Sequence, residues 1–141
     1  MRGLITAGVL WALLLVMGTA DAQTSRRQRN KLEQSQIALT AAIRWGDFEA
    51  AWQMVDPAYR QAHPLSDVEL SRYEQVQISG YRDLSSQLEA DDTVTRNIEL
   101  RVINKHTMAE RTLRYQEHWR WDAENKGWWL VTGLPDLWNG Q

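Results

Sequence analysis

The sequence predicts an α+β domain, with N-terminal helices packed on a bent four-stranded antiparallel meander. Three observations carry this. Apolar residues recur at helical spacing from Arg27 to Val55, the period falls to two from Val76 onward, and only short turns separate the alternating runs. Helices followed by a meander place the helices on one face of the sheet, giving a cone-like domain.

Ahead of the domain, Met1-Arg2 is followed by an uncharged apolar run from Leu4 to Met17, then by Ala20-Asp21-Ala22. This is the pattern of an export signal, with cleavage after Ala22 and a periplasmic or secreted product beginning at Gln23. The run is shorter than the ~20 residues that span a bilayer. No Cys follows the small residues, which excludes a lipoprotein anchor. Arg26, Arg27, Arg29 and Lys31 oppose translocation by the positive-inside tendency, so a retained membrane anchor is the alternative. Residues 23–30 then form a basic flexible segment, and 31–138 a single domain. Removing the signal from the 141 residues leaves about 119, enough for one core and too few for two.

Within the domain, Leu32, Leu39, Ala42 and Ile43 define the first helical stripe, and Gly46 suits the left-handed position after a helix. Asp47 caps a second helix carrying Phe48, Ala51, Trp52 and Val55. Asp56-Pro57 ends it and starts a third, since Pro is tolerated at the first helical position. Ser66-Asp67-Val68-Glu69 is a capping box, with Leu65 and Leu70 placed for a hydrophobic staple, so a fourth helix runs from Asp67 to about Glu74.

Strands are expected at about 76–88, 94–104, 108–122 and 127–134. A four-residue turn at Ala123–Lys126 sets Trp121 opposite Trp128, Trp119 opposite Leu130 and Glu117 opposite Thr132. A two-residue turn at Lys105-His106 sets Arg101 opposite Glu110, Ile98 opposite Leu113 and Arg96 opposite Tyr115. The opposite-charge and the apolar pairs both come out favourable.

Two stretches resemble the nuclear transport factor two-like superfamily, the cystatin-like α+β cone. One is Ala42-Ile43-Arg44-Trp45-Gly46-Asp47-Phe48-Glu49-Ala50-Ala51-Trp52. The other is the terminal hairpin from Tyr115-Gln116-Glu117-His118-Trp119-Arg120-Trp121 to Gly127-Trp128-Trp129-Leu130-Val131. The resemblance implies a conical pocket between sheet and helices, in a superfamily that includes isomerases, dehydratases, partner-binding domains and periplasmic parts of secretion machines. The motifs encode packing, and no enzyme branch's catalytic set carries over. Gly46–Ala51 also resembles the turn of a tetratricopeptide repeat, but a single copy followed by strands has no neighbour to cover its faces.

Charge and composition exclude several function classes. Lys+Arg total 16 against 18 Asp+Glu, a net −2, which argues against a nucleic-acid binder. The absence of cysteine excludes disulfides, thiolate metal sites and Cys nucleophiles. No Gly-x-Ser-x-Gly elbow or phosphate loop is present. His63 and His106 fall in loops, Asp91-Asp92 in a turn, and His118 on the outer sheet face without the further ligands a metal needs. No cofactor is expected.

Glu117 is the candidate of chemical interest. Alternation puts it on the helix-facing side with Leu113, Tyr115, Trp119 and Trp121, where a carboxylate is either paired or proton-bearing. Arg96, diagonal to it, is the expected partner. One reading is a pocket constellation of Glu117, Arg96 and Tyr115 acting on a small polar ligand, with Trp52 and Trp119 as walls. The other is a structural ion pair near the open end of the sheet, or a bulge that turns Glu117 outward. The opposite face gathers Ile103, Met108, Trp129 and Val131 around Arg114 and Arg120, an interface-like composition suited to a homodimer or an envelope protein partner. These residues favour a non-catalytic, partner-binding or self-associating module. The alternatives are a small-molecule binding protein or lyase/isomerase-type enzyme, and a membrane-anchored scaffold subunit if the signal is retained.

Overall fold

The structure, a computed structural model, describes residues 6–89 and 92–138, with side chains from Ser25 onward. Its elements are α1 (Thr6–Arg44), α2 (Phe48–Trp52), α3 (Pro57–Ala62), α4 (Asp67–Tyr73), β1 (Val76–Leu88), β2 (Thr93–Asn104), β3 (Glu110–Asp122) and β4 (Gly127–Leu130). The strands form one antiparallel sheet in the order β1-β2-β3-β4. This is the α+β meander expected from the sequence. Met1–Ile5 of the expected signal and Asp91 of the expected turn lie outside the described residues.

α1 is longer than the periodicity marks. Residues 23–30, expected as a flexible segment, lie inside it. No Pro or Gly interrupts the chain between Ala20 and Arg44, and the Gln28 carbonyl accepts a hydrogen bond from Trp128 Nε1 at 2.9 Å, tying this stretch to β4. No helix of the described residues is long and apolar enough to cross a membrane.

The helix ends follow the local chemistry. Gly46, at φ +76°, closes α1 with the Gly46 and Asp47 amides donating to Ile43 and Ala42, the two bonds of a Schellman turn. Asp47 accepts from the Ala50 amide and Asp56 from the Ala58 amide, capping α2 and α3. Ser66 and Glu69 make both halves of the capping box before α4.

Leu32, Leu39, Ala42 and Ile43 of α1 pack with Phe48, Ala51 and Val55 over Ile98, Leu100, Val102 and Trp119 of the sheet. Val55 runs parallel to Leu130, so the Met54–Asp56 segment covers part of the free edge of β4.

Two registers differ in outcome. The β3–β4 turn pairs Trp121 with Trp128 and Trp119 with Leu130, as expected. The β2–β3 hairpin does not close on two residues. Lys105-His106 lacks the residues that tolerate positive φ at both turn positions. Asn104 Oδ1 instead accepts the His106 and Thr107 amides, and Met108, at φ +60°, donates its amide to Asn104 O. The loop is therefore Lys105–Met108, β3 begins at Glu110, and every pair slides by two. Arg101 faces Thr112, Ile98 faces Tyr115, and Arg96 faces Glu117. A slide of two keeps each side chain on its expected face and changes only its neighbour.

β4 also ends at Leu130 rather than near 134. Gly133, at φ +72°, turns the chain away from the extended backbone, and Pro135 has no amide to offer a ladder. The tail then enters the core. Pro135 and Leu137 are fully buried, Tyr73 Oη donates to Pro135 O at 3.2 Å, and Arg111 donates to Leu137 O.

Candidate functional site

Three strands and one helix meet at Glu117. β3 delivers its carboxylate to the helix-facing side at 0% exposure. Arg96, directly across the ladder on β2, grips it in a fork: Nε donates to Oε2 at 2.8 Å and Nη2 to Oε1 at 3.0 Å. Trp119, two residues along β3 on the same face, adds an indole N–H to Oε2 at 2.9 Å. The fourth donor is Tyr81 of β1, whose hydroxyl hydrogen-bonds Oε1 and itself accepts from Arg96 Nη2 at 3.0 Å. Thr40 of α1 accepts from Arg96 Nη2 at 3.4 Å, and Asp83 lies 3.7 Å from Nη1. Each Glu117 oxygen thus has two donors, the full complement for a carboxylate.

Tyr81 reaches this site because β1 carries a bulge. Ile78 pairs with Val102 and Gly80 with Arg101, leaving Ser79 unpaired. The extra residue inverts alternation, so Val76 and Ile78 face the core before the bulge, and Tyr81 does after it. Gly80 lies where a Cβ would sit 2.9 Å from Arg101 Cδ. A lone Gly within a strand pattern is the sequence signal that could have revealed Tyr81.

Burial, then the neighbouring Glu117 charge, pushes the Tyr81 hydroxyl far above its usual range. The same two causes raise Tyr115. For Arg96, burial works against the charge, but the Glu117 hydrogen bond and charge outweigh it and hold the guanidinium above its ordinary value.

The other expected site residues lie apart. Tyr115 gives its hydroxyl to Gly133 O at 2.7 Å rather than to Glu117. Trp52 stands edge-on to Tyr59, with ring centres 6.2 Å apart, and takes no part in the cluster. His118 Nδ1 is 2.9 Å from Thr95 Oγ1, and His63 stacks on Tyr59. Among the described residues no group of three or more His, Asp or Glu could hold a metal.

The outer-face patch divides in two. Ile103 pairs with Glu110 at one end of β3, whereas Trp129 pairs with Arg120 at the other. At the rise of a strand this separates them by roughly 30 Å. Met108 is 70% exposed in the loop beside Ile103, and Val131 follows β4 with its amide on His118 O. Trp129 donates its indole N–H to Asp122 Oδ2 at 3.0 Å.

An open groove of about 420 Å³ lies over the cluster, lined by Ile37, Thr40, Ala41, Arg44, Trp45 and Arg96. Arg96 is the member of the cluster that reaches it.

No protein-family model matches the sequence, and no curated protein matches it significantly. Solved structures do. A ketosteroid isomerase-like protein from Erwinia carotovora atroseptica aligns at a TM-score of 0.51 and 21% identity, covering 72% of this chain and 89% of that one. A candidate Ca/calmodulin-dependent kinase II association domain from Exiguobacterium sibiricum aligns at 0.54 and 20%, covering 77% and 94%. The chain has the nuclear transport factor two-like fold. A SEC-C motif protein from Psychrobacter arcticus shares the architecture at 0.55 and 10% identity, over 76% of this chain and 63% of that one. In this cone-fold chain the helix-facing centre of the sheet is occupied by the Glu117–Arg96–Tyr81–Trp119 clasp.

Proposed function

We propose that this chain is a non-catalytic association module built on the nuclear transport factor two-like fold, binding another protein or a second copy of itself. We place it in the periplasm or outside the cell, delivered by the apolar leader. One observation supports the non-catalytic reading above the rest. The carboxylate best placed for acid–base chemistry is 0% exposed and already accepts four hydrogen bonds, so a substrate would have to displace one of its partners. A candidate association domain among the similar structures gives the fold a precedent for such a role.

Native mass spectrometry of the protein recovered from its own cell envelope tests this reading. The expected result is a chain beginning at Gln23, present as multiples of itself or with a protein partner, and free of small-molecule adducts. A stoichiometric small molecule, lost in Glu117→Gln, would overturn it.

The groove reached by Arg96 favours a second reading, a small-molecule binding protein or isomerase-type enzyme. The same spectrum separates the two. A mass that still includes Met1 would instead favour the anchored scaffold.

A further inference from the structure

The corner where α1 turns into α2 holds the most exposed large aromatic of the described residues, Trp45 at 88% exposure. Two grooves meet at this corner, sharing Gly46 and Phe48, and Trp45 lines the first of them. One, of about 480 Å³, carries Arg44 and Lys105 over an apolar floor of Phe48, Val76 and Ile78. The other, of about 280 Å³, carries Asp47, Glu49 and Glu74 beside Leu70 and Tyr73. Its floor is firm, because Phe48 and Tyr73 stack with ring centres 4.2 Å apart.

Apart from Asp47, which caps α2, the charges of the two grooves are uncommitted. Arg44, Lys105, Glu49 and Glu74 are exposed, and none forms an ion pair among the described residues. This contrasts with the sheet, where Arg82, Arg96, Arg101, Arg114 and Arg120 all reach an acid.

A two-fold interface uses one patch on both partners, so the patch must complement itself. A basic groove and an acidic groove side by side at one corner meet that condition. Rotation about an axis between them sets each basic groove, with its Trp45, on the partner's acidic groove, twice. Tryptophan and arginine are the residue types that most often carry interface energy.

We infer that the Trp45 corner is a two-fold self-association surface, its occupant a second copy of this chain. The inference rests on the association-module reading and names the surface it uses. Exposed charges carry much of the contact, so the association is salt-sensitive.

Sedimentation velocity on the protein as processed in its cell, over a concentration series, provides the test. The wild type should dimerise, and Trp45→Ala should weaken the dimer at least about tenfold. Arg44→Glu with Lys105→Glu makes the patch wholly acidic, and Glu49→Lys with Glu74→Lys makes it predominantly basic, with Asp47 kept as the cap of α2. Neither double variant should dimerise alone, and an equimolar mixture should recover association within about threefold of wild type. All five positions are exposed, and far-UV circular dichroism checks that each variant is folded.

A dimer that ignores Trp45→Ala and both charge variants would overturn this surface while leaving the module reading intact. Failure of the mixture to associate, with both variants folded, would also overturn it. A wild type that stays monomeric to about 1 mM overturns the inference, and one that also retains a small ligand overturns the module reading too.

Discussion

A carboxylate with four donors and no solvent is an asset only while its partners remain. Glu117→Gln keeps the shape but leaves the Arg96 guanidinium buried against a neutral amide. The expected loss is about 3–5 kcal/mol in urea unfolding, the range for removing one partner of a buried pair. Arg96→Met combined with Glu117→Leu should lose much less, since neither charge is then buried alone; an equal loss would mean the pair stabilises in its own right. The sequence exposed much of this site. Alternation placed Glu117 on the buried face, and the need for a counter-charge pointed to Arg96. Tyr81 stayed hidden because a bulge breaks the rule that located the others. Tyr115 was misjudged for a different reason: spacing assigns a face, whereas the hydroxyl follows the nearest free carbonyl, here that of Gly133.

Among the elements, legibility tracked how local the determining chemistry is. The caps of α2, α3 and α4 depend on residues within three positions, and the structure has each where the sequence puts it. The β2–β3 loop depends on Asn104 folding back over two amides, a choice the charge pairing of the tighter turn obscured. The tail after β4 depends on α3 and α4, which lie far upstream. Its docking rests on Gly133, where φ is +72° and an added Cβ would fall 2.8 Å from the Tyr59 ring. Gly133→Ala therefore combines a left-handed backbone penalty with a steric one, and should cost about 2–3 kcal/mol by thermal or urea unfolding. A loss below about 0.5 kcal/mol would show that the tail is not held where described.

Over the whole molecule, stability should fall at both extremes of pH, for separable reasons. Asp122 closes the β3–β4 turn. Hydrogen bonds from Asn125, Trp129 and Glu124 hold its carboxyl down to about 2, from an unfolded value near 3.8. A depressed carboxyl stabilises the fold above its unfolded pKa and loses that contribution as pH falls from about 4 to about 2. Asp122→Asn should flatten that part of a melting-temperature profile. At the alkaline end, burial, and secondarily Asp136, pushes Tyr73 up to about 12 from 10.0. The unfolded chain then releases this proton first, so stability declines from about pH 10 toward pH 12. Tyr73→Phe should flatten the alkaline limb of the same melting-temperature profile; an unchanged limb would contradict the burial of this hydroxyl.

The Glu117 clasp also sets an order of events. Beyond the Arg96–Glu117 pair, which forms with the β2–β3 hairpin, its bonds join residues 56 apart, Thr40 to Arg96, and 36 apart, Tyr81 to Glu117. Such long loops close late, after the local turns and hairpins have formed. Breaking the clasp should therefore quicken unfolding far more than it slows refolding. Until Glu117 has left the ribosome, Arg96 and Tyr81 have nothing to close upon, and the centre of the sheet stays loose.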